Sequence, residues 1–144
     1  MPEISYTTIV DAPLERLWER VRARLDVQHD LELPGASVEI LEHGPRGAKR
    51  RVSIPEGNFL EILELDPDRR ELRLEIRNHP LRNGAIVYRV RPLEDAAERG
   101  ILSVRVSWRD EEGEPWLDDC EGFARRVATR IRGESEGKEG EAAQ

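Results

Sequence analysis

Glu71–Arg77 reads Glu-Leu-Arg-Leu-Glu-Ile-Arg, charged and aliphatic residues in strict alternation. On a strand, successive side chains point to opposite faces, so Leu72, Leu74 and Ile76 gather on one side and the charges on the other. On a helix the same residues would scatter around the axis. The segment is therefore a strand with one dry face and one wet face, as antiparallel sheets have. The pattern recurs twice. Ile86, Tyr88 and Val90 alternate within residues 84–92, and Leu102, Val104, Val106 and Trp108 form the last strand. Any fold for this chain must cover the dry face of that sheet.

The rest of the chain supplies more strands and the cover. Ile4–Val10 is β-branched and aromatic, a first strand. A helix follows, with Leu14, Leu17, Trp18, Val21 and Leu25 on one face. Pro13 suits its first turn, and Glu15 suits the positive end of its dipole. Residues 26–33 read as a short polar helix or loop ending at Pro34-Gly35. Val38 and Ile40 begin a strand that stops at Gly44-Pro45, and Ala48, Val52 and Ile54 share one face of the next. Residues 55–58 predict a four-residue turn before a strand over 58–65, closed by Asp66-Pro67-Asp68. Beyond Pro115 a long helix carries Trp116, Cys120, Phe123, Ala124, Val127, Ala128 and Ile131 as one apolar stripe. It is the one long stripe able to cover the sheet. The expectation is an α+β domain over residues 1–132 in the order β-α-α-β6-α, with a disordered acidic tail over 133–144.

Composition removes several classes of function. With 37% charged residues and a net charge of -7, the chain repels phosphate backbones, so no nucleic-acid partner is expected. No apolar run reaches the length of a membrane span, and no signal peptide opens the sequence. One cysteine allows no disulfide within the chain. A cytoplasmic protein, monomer or homodimer, without membrane insertion is expected. His29, His43 and His79 are dispersed, and no metal-ligand spacing or cofactor motif is present, so neither metal nor cofactor is expected.

Three motifs resemble the helix-grip superfamily of START-like, birch-pollen-allergen-like and polyketide cyclase/dehydrase proteins. Val10-Asp-Ala-Pro-Leu-Glu-Arg-Leu-Trp18 is similar to its strand-to-helix signature. Gly47-Ala-Lys-Arg-Arg-Val-Ser-Ile-Pro-Glu-Gly-Asn-Phe-Leu-Glu61 is similar to its Gly-led strand, Gly-containing turn and following Glu. His79-Pro80-Leu81-Arg82-Asn83-Gly84 is similar to the latch of plant hormone receptors in the superfamily, and Pro55-Glu56-Gly57 lies where their gate lies. The resemblance covers roughly residues 3–132. It implies a curved antiparallel sheet of about seven strands wrapped around the C-terminal helix, with a ligand cavity between them. The latch aromatic is missing after Asn83 and Pro80 replaces a basic residue, so hormone sensing is not implied.

Strand parity nominates the lining of such a cavity. Tyr6, Thr8, Tyr88 and Trp108 face inward, joined by Trp116, Cys120 and Phe123 from the helix stripe. In the central hairpin, pairing Ile54 with Phe59 turns Phe59, Glu61 and Arg50 inward, with Glu61 and Arg50 diagonally related. A carboxylate on an apolar face needs a partner or a raised pKa. Glu61 and Arg50 read either as polar anchors for a ligand or as a structural ion pair. Cys120 and the aromatic residues read first as core. The outward arginines Arg73, Arg77, Arg89, Arg91 and Arg105 read first as a solvated face laced with cross-strand pairs, and otherwise as a basic patch for a partner.

Three functions follow. The first is binding of a small apolar or aromatic molecule, lipid- or polyketide-like. The second is a polyketide cyclase, aromatase or dehydratase in which Glu61, Arg50 or Tyr88 handles a proton or polarises a carbonyl. The third is a cavity-free module that binds a protein through its charged sheet face.

Overall fold

The computed structural model describes residues 3–26, 36–93, 96–110, 112–114 and 117–137. Strand β1 (Ile4–Val10) leads into helix α1 (Leu14–Arg22) and a single 3₁₀ turn, Ala23–Leu25. Six strands follow, β2 (Ser37–Gly44), β3 (Gly47–Ile54), β4 (Gly57–Asp66), β5 (Glu71–Arg77), β6 (Arg82–Leu93) and β7 (Ala96–Asp110), and then helix α2 (Leu117–Glu136). They form one seven-stranded antiparallel sheet in the order β1-β7-β6-β5-β4-β3-β2. Helix α2 packs against β7, β1 and α1.

The alternation that opened the sequence reading sets the layers. Leu72, Leu74 and Ile76 are buried with Ile86, Tyr88, Val90, Leu102, Val104, Val106 and Trp108. From α2 they meet Cys120, Phe123, Ala124, Val127, Ala128 and Ile131, and from α1 Leu17, Trp18 and Val21. Pro13 stands one residue before α1, not inside it, and its carbonyl accepts the first N–H groups of the helix, from Arg16 (3.0 Å) and Leu17 (3.1 Å). The Asp11 N–H, just before it, donates to Glu136 at the end of α2 (2.8 Å), tying that end to the β1–α1 corner.

Three expectations change. The β3–β4 hairpin turns on Pro55 and Glu56 alone, with Ile54 opposite Gly57, Val52 opposite Phe59 and Arg50 directly opposite Glu61. The inward parity holds, but the diagonal relation of Arg50 and Glu61 does not. The reason is Gly57, whose φ of 146° permits a tighter connection than four residues would make. Helix α2 also runs through Gly133 to Glu136; within this last turn Ser135 is wholly buried and donates its hydroxyl to the Ile131 carbonyl (2.7 Å). Strands β6 and β7 extend well beyond their apolar alternation, since backbone pairing continues through polar residues as far as Arg82–Asp110. The second helix or loop over 26–33, Pro34-Gly35, Trp116 and the tail from 138 onward lie outside the described residues.

Gly84 shows how tightly β6 and β7 approach. A Cβ placed there would stand 1.8 Å from the Ser107 carbonyl oxygen, so a side chain requires the backbone to move. Gly84→Ala is therefore expected to cost about 2–3 kcal/mol, the upper range for overpacking. It should appear as a lower urea midpoint at unchanged m-value. An unchanged midpoint would show that the two strands tolerate separation.

Candidate functional site

The inner face is easiest to describe as rows across the strands. One row runs Arg50, Glu61, Ile76, Gly84, Trp108. Another runs Leu65, Leu72, Tyr88, Val104, Tyr6. Tyr88 therefore lies four residues along the strands from the row of Glu61, roughly 13 Å at strand rise. The two face the same side of the sheet from different rows. The nominated residues instead fall into four groups.

The first group is ionic. Arg50 Nε lies 3.2 Å from Glu61 Oε1, with both side chains at 0–1% exposure. The same guanidinium donates from Nη2 to the Arg24 carbonyl (3.3 Å) and from Nη1 to the Asp26 carbonyl. Those carbonyls belong to the end of the 3₁₀ turn, where backbone acceptors are left over and the helix dipole is negative. Arg50 is thus a clamp between the sheet and the end of the α1 segment.

Sequence reasoning missed its companion, Arg24. That side chain is 3% exposed, donates to the Arg20 carbonyl (2.6 Å) and reaches Glu134 on α2 (3.0 Å). A signal was available. Leu17, Val21 and Arg24 follow at helical spacing on one face, as do Val127, Ile131 and Glu134, so each helix places a charge where its stripe predicts an apolar residue.

The second group is the loop pair at one rim. The His79 ring tilts over Phe59 at 4.6 Å between centroids. A Cβ on Gly57 would stand 3.5 Å from Pro80 Cγ, so the residue 55–57 turn and the residue 79–83 loop lie side by side. The second loop is braced from within. The Asn83 carbonyl oxygen accepts from the His79 N–H (2.9 Å), and the Asn83 amide donates to the His79 carbonyl (3.3 Å). His79 Nδ1 accepts from the Leu81 N–H (3.0 Å), which places a neutral ring's proton on Nε2. Leu81 itself is exposed.

The third group is apolar. The rings of Trp108 and Phe123 stand 5.0 Å apart at 60°. Among the described residues strand β1 pairs with β7 from Ile4–Val106 to Val10–Gly100, and the Trp108 backbone N–H donates to Cys120 Sγ (3.2 Å). Cys120 is buried and serves as a core acceptor.

The last two residues sit at a margin. Tyr6 lies under the Arg125 guanidinium (5.9 Å to the ring centroid), and Thr8 Oγ1 accepts from Arg132 (3.3 Å). Both therefore meet the charged flank of α2, not the centre of the interior. Among the described residues no group of three His, Cys, Asp or Glu side chains could hold a metal ion. Nor is any helix long and apolar enough to cross a membrane.

Removing Arg50 leaves Glu61 buried without its cation. Arg50→Ala should cost about 3–5 kcal/mol, whereas Arg50→Met with Glu61→Leu should cost much less than the two single changes summed. Urea unfolding of the four proteins of this cycle is the measurement. Additive losses would show that the pair is not coupled.

Residues 1–137 match the family described as polyketide cyclase / dehydrase and lipid transport. No curated protein matches the sequence. Among solved structures, the Zhui aromatase/cyclase from Streptomyces sp. R1128 is similar at 21% identity and a TM-score of 0.60, over 94% of this chain and 93% of that one. A truncated norcoclaurine synthase from Thalictrum flavum is similar at 14% identity and 0.61, over 95% and 91%. Ara h 8.0201 is similar at 15% identity and 0.61, over 94% and 95%. These likenesses bear on architecture, and the architecture is the helix-grip fold.

Proposed function

Because this chain belongs to the polyketide cyclase / dehydrase and lipid transport family, we propose that it binds a small hydrophobic or aromatic molecule, lipid- or polyketide-like, between its sheet and α2. The observation that carries this reading is the loop pair. Two loops from separate hairpins come together over Phe59 at the rim of an apolar inner face, with the His79 ring tilted on the Phe59 ring and Gly57 beside Pro80. Such contacts part at little cost, while the Asn83 brace keeps the residue 79–83 loop a unit as it moves.

In the closed form Phe59, Tyr88, Trp108, Cys120 and Phe123 pack with at most 6% exposure. Entry of a ligand therefore means opening the loops and displacing side chains, with Phe59, Trp108 and Phe123 as the apolar contacts. Arg50 leaves the ligand set because its two Nη atoms donate to backbone carbonyls and its charge is paired with Glu61. This favours binding over proton chemistry at that pair. The cyclase reading would have to rest on another inward titratable group, of which Tyr88 is the candidate.

The test is native mass spectrometry of protein from its own source, joined to stopped-flow binding of an apolar fluorescent naphthalene probe. A co-purified apolar mass and saturable probe uptake are expected. Asn83→Ala, which unbraces the loop, should raise the association rate several-fold with little change in melting temperature. Absence of saturable uptake by both proteins would sink the proposal.

A further inference from the structure

The outer face of β5, β6 and β7 bears an open groove of about 870 Å³. Its register is regular. Arg73, Val87 and Arg105 face one another across the three strands, then Glu75, Ala85 and Ser107, and then Asn83 and Arg109, with Arg77 ending β5 on that side. Four arginines thus stand at the corners of a rectangle about 10 Å across and 13 Å along, from strand spacing and rise. The floor between them is small, made by Ala85, Ser107 and Gly84. Val87 points outward with the arginines yet is only 7% exposed, so its neighbours shelter it.

Two corners carry their own counter-charge. Glu75 makes a two-pronged pair with Arg77 (2.9 and 3.1 Å), and that bond holds its carboxyl below the usual range. Glu3 pairs with Arg105 (2.9 Å). The diagonal corners differ. Arg73 makes no ion pair within 4.0 Å among the described residues. Arg109 donates from Nη1 to the Gly113 carbonyl (2.9 Å), while its Nε is buried and meets no acceptor. On a chain of net charge -7, the groove sets four arginines against Glu3, Glu75 and Asp110, a cationic excess around a floor of small side chains.

We propose that this groove docks an extended acidic segment of a partner protein. In an extended peptide, carboxylates at positions i and i+4 stand about 13 Å apart on one side, the separation of the two arginine ends. A small anion would span only one corner and stay largely exposed, because the groove is open along its length and its arginine ends stand about 13 Å apart. The chain's own acidic C-terminal segment is the poorer occupant. It leaves α2 at Glu136, bonded to Asp11 at the end of β1 opposite Glu3.

The experiment is fluorescence anisotropy of a fluorescein-labelled hexaglutamate peptide at low ionic strength, with hexalysine and free citrate as comparisons. Saturable binding is expected, lost as salt is raised to about 0.3 M. Arg73→Glu and Arg109→Glu should each weaken it about tenfold. Arg91→Glu, an exposed arginine of β6 outside the groove, should leave it nearly unchanged. Circular dichroism melts check that each variant is folded. Because Arg109 also holds the Gly113 carbonyl, Arg73→Glu decides if the other variant misfolds. Equal weakening by all three substitutions would mean diffuse attraction, and competition by citrate at matched carboxylate concentration would mean a small-anion site. Either result, or no binding at all, overturns the proposal.

Discussion

The ion pair between Arg50 and Glu61 is the contact on which the rest of the arrangement depends. Each charge loses several kcal/mol of hydration when buried, and a bare pair seldom recovers that loss. Here the guanidinium is given more than its carboxylate. It also bonds two carbonyls at the end of the α1 segment, where backbone acceptors are left over. One side chain on β3 thereby fixes where the first helical segment ends relative to the sheet. Arg24, in that same turn, carries the link on to Glu134 of α2. Sheet, first helix and last helix are joined through two arginines whose positive charge suits the negative end of a helix.

This tether lies next to the loop pair. Phe59, beneath His79, is two residues from Glu61 on β4 and sits opposite Val52, two residues from Arg50 on β3. The hairpin that carries the residue 55–57 turn therefore has a stem held by buried charge and a tip formed by one glycine-permitted bend beside Pro80. Strength is concentrated at the base and is slight at the tip. Motion at the rim can then occur without loosening the core, since local opening follows the distribution of buried contacts.

Much of the architecture was legible because periodicity is a property of the backbone. Alternation in β5, β6 and β7 named the large apolar side chains that face inward, and the 3.6-residue stripe of α2 named the cover. The hairpin register was not legible. One left-handed glycine replaced a four-residue turn by a two-residue one, and so moved Arg50 from a diagonal position to the position opposite Glu61. Parity survived because the shift was by an even number of residues. Arg24 and Glu134 were hidden for a different reason. Pattern reading looks for apolar residues on an apolar face, and a charge there reads as an interruption until its partner, more than a hundred residues away in sequence, is known. The separation of Tyr88 from Glu61 was beyond parity altogether, which gives the face but not the row.

The same strands that form the inner face carry the arginine frame on their backs, and alternation keeps the two chemistries apart residue by residue. They share one place. Asn83 braces the His79 loop through two bonds and also lines the outer groove opposite Arg109. A partner seated between Arg73 and Arg109 would press on the residue that braces the loop from within. A ligand that opens the loop would in turn alter the groove. By linkage, any such influence must run equally in both directions in binding free energy. The short segment His79-Pro-Leu-Arg-Asn-Gly thereby joins the proposed loop motion on the inside of the sheet to the proposed docking groove on its outside.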